Sequence, residues 1–422
     1  MNIPEVDLPR IVVIGSGFAG LKFSNKIDSS KYQIVLIDKN NYHTFQPLLY
    51  QVASSGLEPD SIVYPIRKIV KGKKNFFFRI AETQKIDTEQ KTIHTSIGEI
   101  PYDFLVIATG ATSNYFGMEN IEKYSMPMKS VVEALNLRSL IIQNFEEAIN
   151  TDDIKERERL MNFVIVGAGP TGIELAGALS ELRRFILPAD YPDLDIRRMQ
   201  IHIVEANDRV LASMSKKASM KSEKYLKKAG INIWLNTHVK DFNGATVVTD
   251  KRNFESSTVI WAAGIEGCSP EAINIEKTRG KRILVDEFNC IKNVEDVYAI
   301  GDIAQIESEK YPKGNPMLAS VASQQGAQLA HNFNRIARKK KMRPFVYKDK
   351  GSMATVGRNK AVVDLPFLQF GGFFGWITWM FVHLMLLVDF RSRLIVFTNW
   401  MWRYFNYDRG TRLIIRKYKK PD

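Results

Sequence analysis

The chain has 422 residues, room for two or three domains each with its own core, and its composition is that of a globular protein. Lys and Arg number 59 against 46 Asp and Glu, and the resulting +13 favours an anionic partner: nucleic acid, a phosphorylated ligand or a membrane surface. Two cysteines, Cys268 and Cys290, with no CxxC and no Cys/His cluster of metal spacing, are expected to be buried, reduced thiols of a cytosolic protein.

The opening MNIPEVDLPR has acidic residues and no apolar run, so it reads as neither a secretory signal nor a transit peptide. The protein is expected to stay in the compartment where it is made. RIVVIGSGFAGLKF (10–23) follows: a β-branched run, a Gly-rich turn, then a helical pattern. A second strand, QIVLIDK, ends in Asp38, eighteen residues after Gly20. The segment NNYHTFQPLLYQVASSG (40–56) comes next, then a strand in DFLVIATGA (103–111). TDDIKERERLMN (151–162) reads as a solvated helix end.

NFVIVGAGPTGIEL (162–175) then repeats the first unit, 152 residues on from Gly15 to Gly167, with IHIVEA supplying Glu205 as its terminal acid. Strands in STVIWAAGI (257–265) and DVYAIGDIA (296–304) follow. Short Val/Ile runs bounded by glycine are what parallel strands buried on both faces look like, so the fold expected is α/β with two Rossmann-like domains. Past a basic run, RKKKMR (338–343), a strand or hairpin is read in 345–365.

Each Gly-rich turn has the form that cradles a dinucleotide. The first glycine makes the turn, the second admits the pyrophosphate to the backbone, and the third lets helix and strand pack. The pyrophosphate rests on the free N–H groups of the helix. Candidate cofactor-binding residues are Gly15, Gly17, Phe18, Ala19, Gly20, Asp38 and Lys39 in the first unit. In the second they are Gly167, Gly169, Pro170, Thr171, Gly172, Glu205 and Gly264. A carboxylate at Glu205 suits the free 2′-hydroxyl of NADH and repels the 2′-phosphate of NADPH, although Arg209 four residues on relaxes that preference.

Between Asp364 and Asp389 lie 24 residues without a charge. Pro366 and Gly371-Gly372 interrupt them, leaving about 16 helical residues, Phe373 to Val388, short of the roughly 20 a span needs. A second stretch, 394–405, is shorter. Trp376, Trp379, Trp400 and Trp402 suit a headgroup boundary, and Arg391, Arg393, Arg403, Arg409, Arg412, Arg416 and Lys417 suit an anionic surface. The expectation is an amphipathic membrane-anchoring region, and a chain ending near Asp364 should be soluble yet keep its cofactor.

The two fingerprints together with ATGA (108–111) and GDIA (301–304) resemble the two-dinucleotide-binding-domain, glutathione-reductase-like flavoproteins. NYHTFQPLLYQVASSGLEP, VGAGPTGIELAGALSEL and SVASQQGAQLAHN resemble, more narrowly, the type II NADH:quinone oxidoreductases. That resemblance implies FAD at the first fingerprint and NADH at the second. It brings Thr109, Gly110 and Gly301 close to FAD, puts Asp302 on its ribityl chain, and sets Ala322 and Ser323 against the flavin. It also implies a quinone near Gln324, Gln46 and Ser320, the last standing where the family has a longer glutamine. Since the segment 40–56 has no cysteine, electrons are not expected to leave through sulfur.

By the same resemblance Glu174 contacts nicotinamide, positions the quinone or relays a proton to it. Read from the residues alone, it is an acid in the first helical turn, favoured by the dipole by up to about 1 kcal/mol. His43 stands as a histidine approaching the flavin or quinone channel or as a satisfied loop histidine, Lys350 as a cation by the isoalloxazine or, by default, a solvated lysine, and His383 as a packed core or interface histidine. The domains expected are 1–118 and 265–340 for FAD, 119–264 for NADH, and 341–422 for the anchor. The function implied is a peripheral flavoenzyme on the cytoplasmic side of the inner membrane, a homodimer without metal centres or proton pumping. A soluble NADH-dependent reductase of a protein electron carrier shares the fingerprints but needs no such tail, and a non-catalytic flavin/NADH-sensing or membrane-bound signalling flavoprotein would bind FAD but turn over poorly. Nucleic-acid binding finds no recognised module.

Overall fold

The computed structural model describes residues 1–270, 275–406 and 410–419. The chain divides into two units, 1–44 with 63–112 and 265–349, and 45–62 with 113–264 and 350–422. The cuts near 112 and 264 separate the two fingerprints, as the duplication requires.

In the first unit five parallel strands run in the order Val297–Ala299, Phe104–Ile107, Arg10–Ile14, Gln33–Asp38, Phe76–Ile80. The central strand is buried from Ile11 to Ile14, because helices cover one face and a three-stranded antiparallel meander (83–101) belongs to the other side of the same core. Helix α1 (Phe18–Lys26) packs along the helix Ala319–Ile336.

The second unit repeats this plan. Its parallel sheet runs Met126–Pro127, Thr258–Trp261, Phe163–Val166, Ile201–Val204, Asn232–Trp234, with the fingerprint strand again central and a second meander at 239–255. Helix α2 (Leu49–Ala53) lies on α3 (Val131–Ile149) and α4 (Pro170–Phe185), which is why residues 45–62 join this unit. Ser130 and Glu133 form a reciprocal capping box at the start of α3.

The charged 151–162 segment is a helix, Ile154–Met161, whose last two residues are buried. Residues 352–372 make three antiparallel strands, Ser352–Thr355, Ala361–Leu365 and Leu368–Gly372. The glycine pair closes that sheet, and α5 runs from Phe373 to Leu386, 14 residues in all. Helix α6 (Phe390–Asn406) follows. No helix among the described residues is long and apolar enough to cross a membrane.

Candidate functional site

Both fingerprints sit at the carboxyl edge of a parallel sheet, the side on which such folds bind ligands. Gly15 and Gly167 have φ of +99° and +106°, open to glycine but not to other residues, and a Cβ on Gly20 or Gly172 would run into the carbonyl of Gly15 or Gly167. By contrast a Cβ on Gly17 or Gly169 would meet nothing within 4 Å, so the backbone there is bare where a pyrophosphate has to approach.

The duplication holds down to single bonds. Asp38 accepts from Ser16 N–H and Oγ, both at 2.7 Å, and Glu205 accepts from Ala168 N–H at 2.6 Å. In each unit the terminal acid thereby fixes the residue after the first glycine. Glu205 also accepts from the Asn207 backbone (2.9 Å) and side chain (2.6 Å). Arg209 does not turn toward it, since its guanidinium donates to the carbonyls of Met214 (3.0 Å) and Ala212 (2.6 Å).

Other candidates of the first unit converge on the same edge. Gly301, Ala19 and Ala322 come together at the crossing of α1 and the helix Ala319–Ile336, and Gln325 accepts from Gly301 N–H at 2.7 Å. Thr109 Oγ1 and Gln325 Nε2 are buried there without a protein partner. Bare glycine backbone with orphaned polar atoms beside it fits a dinucleotide cofactor. Arg282 donates to the Asp302 carbonyl at 3.0 Å. His43 is buried, donates from Nδ1 to the Ser16 carbonyl at 2.9 Å, and is pushed down from its ordinary pKa by burial. Lys39 and Lys350 are exposed.

Within the second unit, Glu174 lines a cleft with Tyr50, Gln51, Trp379 and Trp400. Helix α4 starts at Pro170, so Glu174 is its fifth residue and lies past the first turn, where the dipole has faded. Burial and the tail set its environment. Trp379 Nε1–H donates at 3.1 Å and Thr355 N–H at 3.3 Å, both to Oε1. No donor among the described residues bonds Oε2. Burial raises the carboxyl from its ordinary 4.5 to about 8, against the two hydrogen bonds, which lower it.

Beside it Trp400 Nε1–H donates to Gln51 Oε1 at 2.9 Å, and Gln51 Nε2 donates to the Tyr50 hydroxyl at 3.0 Å. Removing one of Glu174's two donors should raise it further. In Trp379→Phe the infrared carboxyl band is expected to titrate about one pH unit higher than in wild type; an unmoved midpoint would mean the bond does not matter.

Several expectations need correction. Trp379 and Trp400, placed at a headgroup boundary, are buried, because each indole N–H finds a buried partner in the cleft. Trp402 alone of the four is fully outward, and Trp376 is half-buried, stacked on Tyr404. Arg403 donates to the Gly56 carbonyl, and Arg412 pairs with Asp190 at 2.6 Å, so neither is a free surface charge. Arg409 lies outside the described residues. Cys268 is exposed and Cys290 half-buried, and burial raises the Cys290 thiol to about 11.

Of the residues named for quinone, Ser320 and Gln324 lie in the first unit. Ser320 Oγ meets the Tyr347 hydroxyl at 3.2 Å, and both ends of the Gln324 amide bond the Lys348 backbone at 3.0 Å. Gln46 is exposed and does not line the Glu174 cleft; Gln51, five residues on in the same segment, does. His383 stacks on Trp379 and donates to its carbonyl at 2.8 Å, a packed histidine as expected.

The family model for pyridine nucleotide-disulphide oxidoreductases matches residues 9–326, and that for the NDH2 C-terminal domain matches 350–406. Two type II NADH:quinone oxidoreductases of Mycobacterium tuberculosis are 33% and 32% identical to this chain, covering 96% and 95% of it and 89% of each relative. An internal alternative NAD(P)H-ubiquinone oxidoreductase of Arabidopsis thaliana mitochondria is 30% identical over 94% of the chain and 84% of that protein. The NDH2 structure from Plasmodium falciparum in complex with NADH shares the fold at a TM-score of 0.88 and 22% identity, covering 97% of this chain and 100% of that one. Identity of this extent, tail domain included, means that the chain belongs to the type II NADH:quinone oxidoreductase family.

Proposed function

We infer that this protein is an NADH:quinone oxidoreductase that works through FAD at a membrane surface. FAD, when bound, supplies the hydride acceptor and the two-electron donor; the protein supplies orientation, electrostatics and exclusion of water. In this reading the first fingerprint holds FAD by its bare backbone and the N–H groups opening α1, with Thr109, Gly110, Asp302, Ala322 and Ser323 around it. Gly167, Gly169 and Gly172 receive NADH, and Glu205 takes its ribose.

Glu174 is assigned to the acceptor side, where it hands a proton from Oε2 to the reduced quinone. The observation that carries this is the company it keeps. Its two donors come from the tail, α2 lines the cleft beside it, and a carboxyl raised to about 8 still holds its proton at neutral pH. Such a group donates below about pH 8 and loses that ability above it.

A quinone with an isoprenoid tail stays in the bilayer, so the protein has to reach the lipid. The outward stripes of α5 (Phe374, Ile377, Phe381, Met385) and α6 (Phe390, Leu394, Phe397, Phe405) are apolar at helical spacing, and Arg391, Arg416 and Lys417 are exposed nearby in sequence. This supports an interfacial anchor on anionic lipid. NADH is a dianion that does not cross a bilayer, which favours the cytoplasmic face of the inner membrane. A homodimer is part of the same proposal.

The test is NADH oxidation by the purified yellow protein with and without a short-chain quinone. Turnover should be slow without quinone and rapid with it, and kcat/KM for NADH should exceed that for NADPH by about 100-fold. Equal values for the two nucleotides would refute the role of Glu205. A flavin-loaded protein indifferent to quinone would overturn the function.

A further inference from the structure

A buried proton donor has to be recharged, and much of the wall of the cleft around Glu174 is indole, from Trp376, Trp379 and Trp400, which does not pass protons. Two turns along α4, on the same face, stands Glu181. It lines the Glu174 cleft and also a second, wider groove edged by Arg184, Arg197, Lys228 and Lys360. That groove is open to water, since the Arg197 side chain is 91% exposed.

The two cavities have three residues in common: Glu181, Gly357 and Arg358. Glycine has no side chain and arginine does not give up its proton, so Glu181 is the one of the three able to pass one. Between the two acids the only α4 residue on the cleft is Ala178, which leaves the space to water.

We propose that Glu181 relays protons from the open groove to Glu174. The proposal rests on the reading of Glu174 as the donor to the acceptor. Seven helical residues separate the carboxyls by about 10 Å along the axis, too far for direct transfer, so the proton crosses on water in the cleft. Once Glu174 has lost its proton, Glu181 gives it one through that water and takes another from the groove. No electron moves in the relay, and each carboxyl ends as it began.

The groups around Glu181 come from the hairpin, α2, α4 and α6. Arg358 N–H, from the turn of the 352–365 hairpin, donates to its Oε1 at 2.6 Å. The guanidiniums of Arg358 and Arg403 line the same cleft, and both bond carbonyls: Arg358 those of Tyr404 (2.6 Å) and Arg403 (2.5 Å), Arg403 that of Gly56. Tyr50 and Tyr404 complete the titratable lining with Glu174 itself. Burial pushes Tyr50 well above its ordinary pKa, so it does not compete.

Glu181→Gln keeps an oxygen for Arg358 N–H but cannot carry a proton. It is expected to lower quinone-dependent kcat by about 10-fold or more, increasingly so as pH rises, with flavin reduction by NADH unchanged in stopped flow. Imidazole, a small diffusible acid near neutral pH, should restore much of the loss, and Glu181→Asp should turn over close to wild type. A loss that imidazole does not relieve, or an equal loss in Glu181→Asp, means a structural role and overturns the relay. Wild-type turnover in Glu181→Gln beside a crippled Glu174→Gln also overturns it, while leaving Glu174 as the donor. Wild-type turnover in both removes the donor reading and the relay with it.

Discussion

Glu174→Gln is expected to lower quinone-dependent turnover by about two orders of magnitude while NADH still reduces the flavin at the wild-type rate. Glutamine is isosteric and keeps an oxygen for Trp379 Nε1–H and Thr355 N–H, so the cleft should hold its shape. What it lacks is a proton to give. If stopped flow showed the reductive half-reaction lost instead, Glu174 would belong to the nicotinamide side. If steady-state turnover were unchanged, the acid would be structural.

The same variant has a stability signature whose sign follows from burial. The Glu174 carboxyl is raised from 4.5 to about 8, so the native state holds its proton more tightly than the unfolded chain. Below pH 4.5 both states carry it. As pH rises from there the unfolded chain ionises first, and the stability from the bound proton is lost progressively until about pH 8. Glu174→Gln has no such proton. Over that window the wild type should lose about a few kcal/mol that the variant keeps, read as a steeper fall of its Tm between about pH 4.5 and 8. Parallel Tm profiles would mean that the carboxyl is not desolvated.

How much of this could be read from residues alone depends on distance along the chain. The strand–turn–helix units were legible because each is complete within about thirty residues, and the acid that closes each lies at a fixed offset. Asp38 and Glu205 bond where the repeat puts them. The environment of Glu174 was not legible, because Trp379 is 205 residues away, and the bond from Trp400 to Gln51 spans 349. A signal for the tryptophans did exist. Gly375, Trp379 and His383 recur at four-residue intervals, and so do Ser392, Val396 and Trp400, as the inner faces of two helices do. Phe374, Ile377, Phe381 and Met385 mark the opposite face. Aromatic content alone pointed all the tryptophans at lipid, whereas helical phase divides them. Gln46 and Gln51 differ in the same way: the first is exposed in a short turn, the second buried in α2.

That division of faces changes what the tail should do when altered. Ending the chain near Asp364 would remove Trp379 and Trp400 together with the apolar stripes, so a soluble truncated protein would keep FAD yet lose its acceptor side. Truncation therefore cannot separate anchoring from chemistry. Phe374→Glu with Phe381→Glu can, because these side chains are 75% and 62% exposed and neither lines the Glu174 cleft. Withdrawing two phenylalanines from lipid forfeits about 1.5–3 kcal/mol each, and the added charges cost more. The double variant should partition onto anionic vesicles at least about 100-fold less than wild type. Its turnover with a short-chain quinone in water should be unchanged, and its turnover with a long-tailed quinone held in vesicles should collapse. If it still sediments with vesicles, the stripes are not the anchor. If it is released but loses short-chain turnover as well, the outward and inward faces of these helices are not independent, and the cleft depends on the lipid that α5 and α6 meet.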